Sequence, residues 1–257
     1  MSEQTVLLTT ANAVAIITLN RPKQANAFNA AMRAELLDAV TKANADASVR
    51  VVVIKAAGSV FCAGADLAEP PVVPISKQIE GEYKPILSAI ADSEKLYIAQ
   101  VQGSAAGIGA ALAMTCDFAT MSASANIYMA FAAIALVPDG GASWLLEQAL
   151  GPRRALEMIV EAQRLKADEC LANGLANKVF GDDDLDKETL AWAHSLSQRA
   201  PLAMAHAKAL VRNANQMTRD EAISAEAAAQ DKLTISNDFR RGVQAFMARE
   251  KPVFEGN

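Results

Sequence analysis

Leu96-Tyr97-Ile98-Ala99-Gln100-Val101-Gln102-Gly103-Ser104-Ala105-Ala106-Gly107-Ile108-Gly109 decides the fold. The first six residues read as a strand too apolar to be half exposed, the pattern of a strand buried on both faces. A small-residue turn, Gly103 to Gly107, ends it, and an apolar helix follows to about Met114. Strand, glycine turn and helix in that order form the repeating unit of a parallel sheet with crossover helices. Upstream, Val49-Arg50-Val51-Val52-Val53-Ile54 reads as a second doubly buried strand, with Phe61-Cys62-Ala63-Gly64-Ala65-Asp66-Leu67 as the turn after it. Further toward the start, Val6-Leu7-Leu8 and Val14 to Leu19 flank Thr10-Ala11-Asn12, a hairpin signal. Asn29 is placed to cap a helix over Ala30 to about Ala45, where Met32, Leu36, Leu37 and Val40 fall at helical spacing. Phe118 to Met121 and Asn126 to Met129 give two more short strands.

Beyond Gly181-Asp182-Asp183-Asp184 the chain reads as almost wholly helical, broken at Pro201 and Asn215. Alanine-rich stretches, Ala207 to Leu210 and Ala222 to Ala229, suit close packing against another copy of the chain. The expectation is an α/β core over residues 1–200 and a helical oligomerisation region over 201–257. Glu69-Pro70-Pro71-Val72-Val73-Pro74 is a candidate lid loop.

Composition excludes several classes. Of 257 residues, 24 Lys and Arg stand against 29 Asp and Glu, a net charge of −5, so no basic face for nucleic acid is expected. With 52% hydrophobic and 21% charged residues the chain is no disordered segment. No apolar run approaches the ~18 residues of a membrane span, and the start MSEQTVLLTT lacks a signal-peptide pattern. Cys62, Cys116 and Cys170 are widely spaced and read as reduced core thiols of a cytoplasmic protein. His194 and His206 both fall in the helical part, which argues against Ser-His-Asp chemistry and leaves too few ligands for a metal. Gly107-Ile108-Gly109 lacks the third glycine of a dinucleotide loop, and Ser104 is not in a nucleophile elbow.

Three features remain. The turns at Cys62–Leu67 and Gly103–Gly109 each follow a buried strand and can leave backbone N–H groups pointing outward, the second at a helix start. Two such donors converging on one oxygen make an oxyanion hole, although either turn alone is equally a tight turn. The third is Leu136-Val137-Pro138-Asp139-Gly140-Gly141-Ala142-Ser143-Trp144, a carboxylate in a glycine-rich turn before a helix. Asp139 there is a candidate base, or simply a helix cap.

Together these features resemble the crotonase, or enoyl-CoA hydratase/isomerase, superfamily. Leu19-Asn20-Arg21-Pro22 with Asn26-Ala27 is similar to its opening L-N-R-P…N-A, and Phe61 to Leu67 to its F-x-A-G-A-D-L segment. Val101-Gln102-Gly103 through Cys116-Asp117 resembles its V-x-G…A-x-G-x-G…C-D segment. Ala172-x-Gly174-Leu175 through Val179 and the tail from Phe246 to Gly256 follow in order. The resemblance implies an α/β fold, a crotonase-like spiral of ββα units with a helical C-terminal trimerisation region. It implies an acyl-CoA thioester substrate, no cofactor beyond that coenzyme A, and a homotrimer or dimer of trimers. The thioester oxygen would be held by the N–H groups of Ala65 and Ile108, whose side chain must point away from it. Gln24, Ala25, Ala63, Asp66 and Leu67 would line the CoA path, Gly107, Phe131 and Trp144 the acyl end, and Phe246 and Lys251 the adenine end.

Departures from the family bear on the reaction. Hydratases of this superfamily carry glutamates where this chain has Ala111 and Phe131. Water addition needs a base for water and an acid for the α-carbon, so hydration loses both groups. Asp139 falls where isomerases resembling this chain carry an acidic residue, and the segment through Trp144 is similar to the branch acting on aromatic-derived thioesters. A double-bond shift from 3-enoyl to 2-enoyl needs one base, with Phe131, Ile134, Leu136 and Trp144 expected to desolvate Asp139. Open alternatives are a hydratase that draws on Glu80, Glu82 or Glu94, a ring-opening isomerase, and a non-catalytic acyl-CoA binder. A binder has no need of a carboxylate beside the thioester.

Overall fold

The structure is a computed structural model that describes residues 4–70 and 72–257; Met1 to Glu3 of the chain start and Pro71 of the proline-rich stretch lie outside it. The expected hairpin is present: β1 (Val6–Ala11) pairs antiparallel with β2 (Val14–Leu19) across a turn where Asn12 and Ala13 take positive φ. α1 (Ala30–Ala45) starts at Asn29, whose side-chain oxygen accepts from the Met32 N–H at 2.9 Å. β3 (Val51–Ala56) begins two residues later than the apolar run suggested. Its end runs past the apolar residues to Lys55, which pairs with Asp186.

The rest of the chain follows as α2 (Ile75–Gln78), α3 (Lys84–Ala91), β4 (Leu96–Val101), β5 (Ser104–Ala106), α4 (Ile108–Thr115), β6 (Phe118–Ser122), β7 (Asn126–Tyr128) and α5 (Ala142–Val160). Then come β8 (Arg164–Lys166), α6 (Ala167–Ala172), β9 (Lys178–Phe180), α7 (Leu185–Ser197), α8 (Pro201–Asn213), α9 (Arg219–Thr234) and α10 (Asn237–Ala248). Six strands form the main sheet in the order β1-β2-β3-β4-β6-β9, parallel from β2 onward. β5, β7 and β8 form a second, smaller sheet. The turn expected after β4 therefore contains a strand. β4 lies in the large sheet, β5 in the small one and α4 follows; β6, β7 and α5 repeat the pattern. This is the expected ββα spiral.

β3 shows why its residues are apolar on both sides. Val51, Val52, Val53 and Ile54 have no solvent exposure. Alternate strand residues face opposite sides, so Val52 and Ile54 pack with Met32, Leu36 and Val40 of α1, while Val51 and Val53 pack with Trp192 and Ala193 of α7. Each such side chain contributes about 1.5–3 kcal/mol by leaving water. α7 thus completes the core. α8 is tied on by polar contacts: Lys208 Nζ lies 2.9 Å from the Asp117 carboxylate and donates to the Ile90 and Lys95 carbonyls, and Arg212 reaches the same aspartate at 2.7 Å.

Candidate active site

Two isolated bridges, Cys62 with Ala105 and Phe28 with Ala65, extend the small sheet toward α1. The Phe28 N–H donates to the Gly64 carbonyl at 2.8 Å, and the Asp66 N–H donates to the Phe28 carbonyl at 3.0 Å. Successive backbone groups of an extended chain point to opposite edges. Ala65, between those two bonds, therefore turns its N–H away from Phe28, toward the edge where Gly107 lies. Gly107 has φ +54 and caps α4; its own N–H is taken by the Tyr128 carbonyl at 3.1 Å. Ile108 is the first residue of the helix, where N–H groups have no partner within the helix. Among the described residues neither the Ala65 nor the Ile108 N–H has a backbone acceptor.

Both turns favour glycine through their backbone, at φ +54 for Gly107 and φ +104 for Gly64, and the two lie in contact. A Cβ on Gly107 would sit 3.7 Å from the Gly64 Cα, and one on Gly64, at φ +104, would sit 3.3 Å from the Ala106 carbonyl oxygen. The Phe131 ring closes over the pair, its Cζ 3.8 Å from the position of a Gly107 Cβ.

The Asp139 turn packs directly on α4. A Cβ on Gly140 would lie 2.5 Å from Ile108 Cδ1, 2.9 Å from Ala111 Cβ and 3.1 Å from Leu87 Cδ1. The Ile108 side chain thus points into the space that Gly140 leaves open, as a backbone donor at that residue requires. The Asp139 Oδ1 atom is buried and without a hydrogen-bond partner. Burial pushes the carboxyl up to about 6, against an ordinary 3.8. The apolar cover differs from the expected one: Ile134, Leu136 and Trp144 are each about half exposed. Ile108, Ala111 and Leu87 stand beside the turn instead. Ala111 and Phe131, where hydratases resembling this chain carry glutamates, both border this site and bring no carboxylate to it.

Several motif residues build the frame. Arg21 donates to Asp66 at 2.9 Å, which holds that carboxyl below its ordinary range. Asn26, fully buried, accepts from the Arg21 N–H and donates to the Ala57 and Val60 carbonyls. The L-N-R-P…N-A and A-G-A-D-L segments are thereby latched together. Gln24, Ala63 and Leu67 are exposed and Ala25 half-buried around that latch. Phe246 and Lys251 are not brought to Asp139. Phe246, 80% exposed, lines a separate apolar groove with Leu202, Ala203, Phe239 and Met247, and Lys251 is exposed. Of the three glutamates after the candidate lid, Glu80 pairs with Lys84 and lines a cavity with Leu87, Gly140 and Trp144, Glu82 pairs with Arg33, and Glu94 lies at the surface. The loop itself is anchored through Glu69, which pairs with Arg33 at 2.9 Å.

Sequence reasoning missed Tyr83 and Gly140. Gly140 stands in the glycine-rich turn already quoted, without its role against α4 being read there, and the signal for Tyr83 was its spacing from Leu87, four residues apart on one helical face.

The family model described as enoyl-CoA hydratase/isomerase matches residues 9–257. The chain belongs to the enoyl-CoA hydratase/isomerase family. It is 35% identical over 258 residues to a Rhodobacter capsulatus protein named "Probable enoyl-CoA hydratase", with 100% of each chain covered. It is 32% identical over 249 residues to the 1,2-epoxyphenylacetyl-CoA isomerase of Escherichia coli, with 95% of each covered. Among solved structures, the enoyl-CoA hydratase of Bacillus anthracis superposes with a TM-score of 0.94 at 28% identity, covering 99% of this chain and 100% of that one. The crotonase fold expected from the sequence is thus the fold of this family member. The names of its relatives span both hydration and isomerisation.

Proposed function

We propose that this family member is an acyl-CoA isomerase that moves a double bond from the 3-enoyl to the 2-enoyl position. The observation that carries the reading is Asp139: a partly buried carboxylate whose Oδ1 has no partner among the described residues, in a turn packed against the second of two glycine turns, where Ala111 and Phe131 bring no carboxylate. In this reading the thioester oxygen accepts from the Ala65 and Ile108 N–H groups. Asp139 removes a proton from C2, the electron pair moves onto the thioester oxygen as a dienolate, and the same proton returns to C4. The double bond now lies between C2 and C3. No other acid or base is required, and no cofactor enters beyond the coenzyme A of the substrate.

The energetics favour that division of labour. A thioester α-proton is far too weakly acidic for an ordinary carboxylate. Two oriented N–H donors in a dry site supply about 3 kcal/mol each toward the enolate. Each pKa unit gained by the base closes the remaining gap by about 1.4 kcal/mol. Hydration is disfavoured because Ala111 and Phe131 stand where hydratases resembling this chain carry their two glutamates. The likeness of the Leu136–Trp144 segment to ring-isomerising relatives, and the name of the Escherichia coli relative, support a second reading within the same chemistry: a ring-bearing acyl group.

A family member that merely bound acyl-CoA would gain nothing from Asp139, whose burial without a partner costs stability. Exposed Phe239, Val243, Phe246, Met247 and Val253 support assigning residues 201–257 to assembly of a homotrimer or dimer of trimers.

The test is 3-hexenoyl-CoA and, separately, crotonyl-CoA, followed by the absorbance of the conjugated enoyl thioester. Conjugation should appear from the first, and fall by about 10²–10⁴ in rate for Asp139→Asn. Loss of crotonyl absorbance at a comparable rate, unaffected by that substitution, would overturn the reading.

A further inference from the structure

The acyl site holds a second orphaned polar group. Tyr83 is 4% exposed, and its hydroxyl proton has no acceptor among the described residues. Its ring is well fixed: it meets Phe28 edge-on at 6.0 Å between centroids, and the Arg33 guanidinium sits 5.5 Å from its centre. Phe28 is the residue whose backbone holds the Gly64–Asp66 strand, so Tyr83 stands directly behind the first donor turn. Tyr83 also ends a π-helical turn, Ile79–Tyr83, that leads into α3. Such turns re-aim a side chain out of the regular helical register and recur at functional sites. One helical turn later on the same face, Leu87 touches the Gly140 turn beside Asp139. The face that carries Tyr83 therefore looks toward Asp139, whose charge reaches the phenol.

A buried donor without an acceptor is costly, and native proteins rarely keep one that nothing satisfies. Here Phe28 and Arg33 hold the ring, the Arg33 guanidinium acts on the phenol oxygen as a donor, and no acceptor among the described residues takes the hydroxyl proton. The neighbouring orphan, Asp139 Oδ1, is an acceptor on that side. Burial pushes the Tyr83 phenol up to about 12, so the group keeps its proton and acts as a donor throughout the neutral range.

We propose that Tyr83 is a substrate-binding residue whose hydroxyl donates to an oxygen carried by the acyl chain beyond the thioester carbonyl, so that the preferred ligands are oxygenated acyl-CoA thioesters. The oxygen can belong to a hydroxyl, a ketone or a cyclic ether, all of which accept a hydrogen bond. A plain hydrocarbon chain would leave the donor unserved, which is how a polar site rejects an analogue lacking the matching atom. The inference deepens the isomerase reading by naming its substrate class, but its test uses binding of saturated esters and needs no turnover.

The experiment is competition binding of hexanoyl-CoA against 3-, 4- and 5-hydroxyhexanoyl-CoA, for the wild-type chain and for Tyr83→Phe. At least one hydroxy ester should bind the wild type about 5–10-fold more tightly than hexanoyl-CoA, the worth of one neutral hydrogen bond. Tyr83→Phe should abolish that preference and leave hexanoyl-CoA binding within about twofold. Its melting temperature should equal or exceed the wild type's, since the removed hydroxyl has no acceptor among the described residues. No preference in the wild type, a preference that survives the substitution, equal weakening of every ester, or a lowered melting temperature would each overturn the proposal. Loss of isomerase activity with the binding preference intact would count against the isomerase reading alone.

Discussion

Asp139 is a carboxylate whose pKa the fold pushes up, opposite to the lowered Asp66, Asp186 and Asp238. Asp139 titrates near 6 when folded and near 3.8 when exposed, so its charged form is disfavoured by the fold. That penalty is fully present above about pH 6 and absent below the unfolded value. Asp139→Asn should therefore melt at a higher temperature than the wild type near neutrality, with the two converging below about pH 4. The base must be ionised to act, so kcat/KM for isomerisation should rise with pH and level off above an apparent pKa of about 6. A flat profile between pH 5 and 8, or an asparagine variant no more stable than wild type, would contradict this account. Asp139 stood out in the sequence as a carboxylate in a glycine-rich turn, and Ala65 and Ile108 were singled out only through the family resemblance, since each turn taken alone reads as well as a plain tight turn. The cover over Asp139 was not. Ile134, Leu136 and Trp144 are its sequence neighbours, but burial is set by neighbours in space, here Ile108, Ala111 and Leu87 from two other helices. Tyr83 was invisible for the same reason: nothing in its own segment marks the unsatisfied hydroxyl.

At the scale of elements, the site depends on how closely the Asp139 turn seats on α4. Gly140 has φ +59, and its missing side chain leaves room for Ile108. Gly140→Ala should destabilise by about 1–3 kcal/mol through overpacking, with added strain from the positive φ. Adding Ile108→Ala should relieve only the Ile108 contact, leaving the 2.9 Å approach to Ala111 Cβ and the backbone part. The measurement is a denaturant melt of the single and double variants; a Gly140→Ala chain as stable as wild type would contradict the seating. The elements themselves were largely readable, since doubly buried strands and a capped helix leave strong periodic signals. The exceptions are short pieces fixed by long-range pairing. β5 holds only Ser104–Ala106 and exists because β7 and Cys62 flank it. β3 begins at Val51 because its register against Val14 starts there, not at the first apolar residue, Val49.

Across the whole molecule, the two ends of the chain serve different tasks. The spiral brings two turns and an aspartate, each from a different ββα unit, to one place. The helical end is anchored by Asp117 with Lys208 and Arg212 and keeps apolar residues such as Phe246 and Met247 exposed. The order of the motifs along the sequence conveyed this division. The convergence of the three segments appears only when the spiral is wound. The central claim is that one carboxylate carries a proton from C2 to C4, and isotope transfer tests it most directly. 3-Hexenoyl-CoA deuterated at C2 would be converted in ordinary water and the product examined at C4. The account predicts that deuterium from C2 appears at C4, because the buried Asp139 holds it between the two carbons. Product carrying only solvent hydrogen at C4 would contradict it.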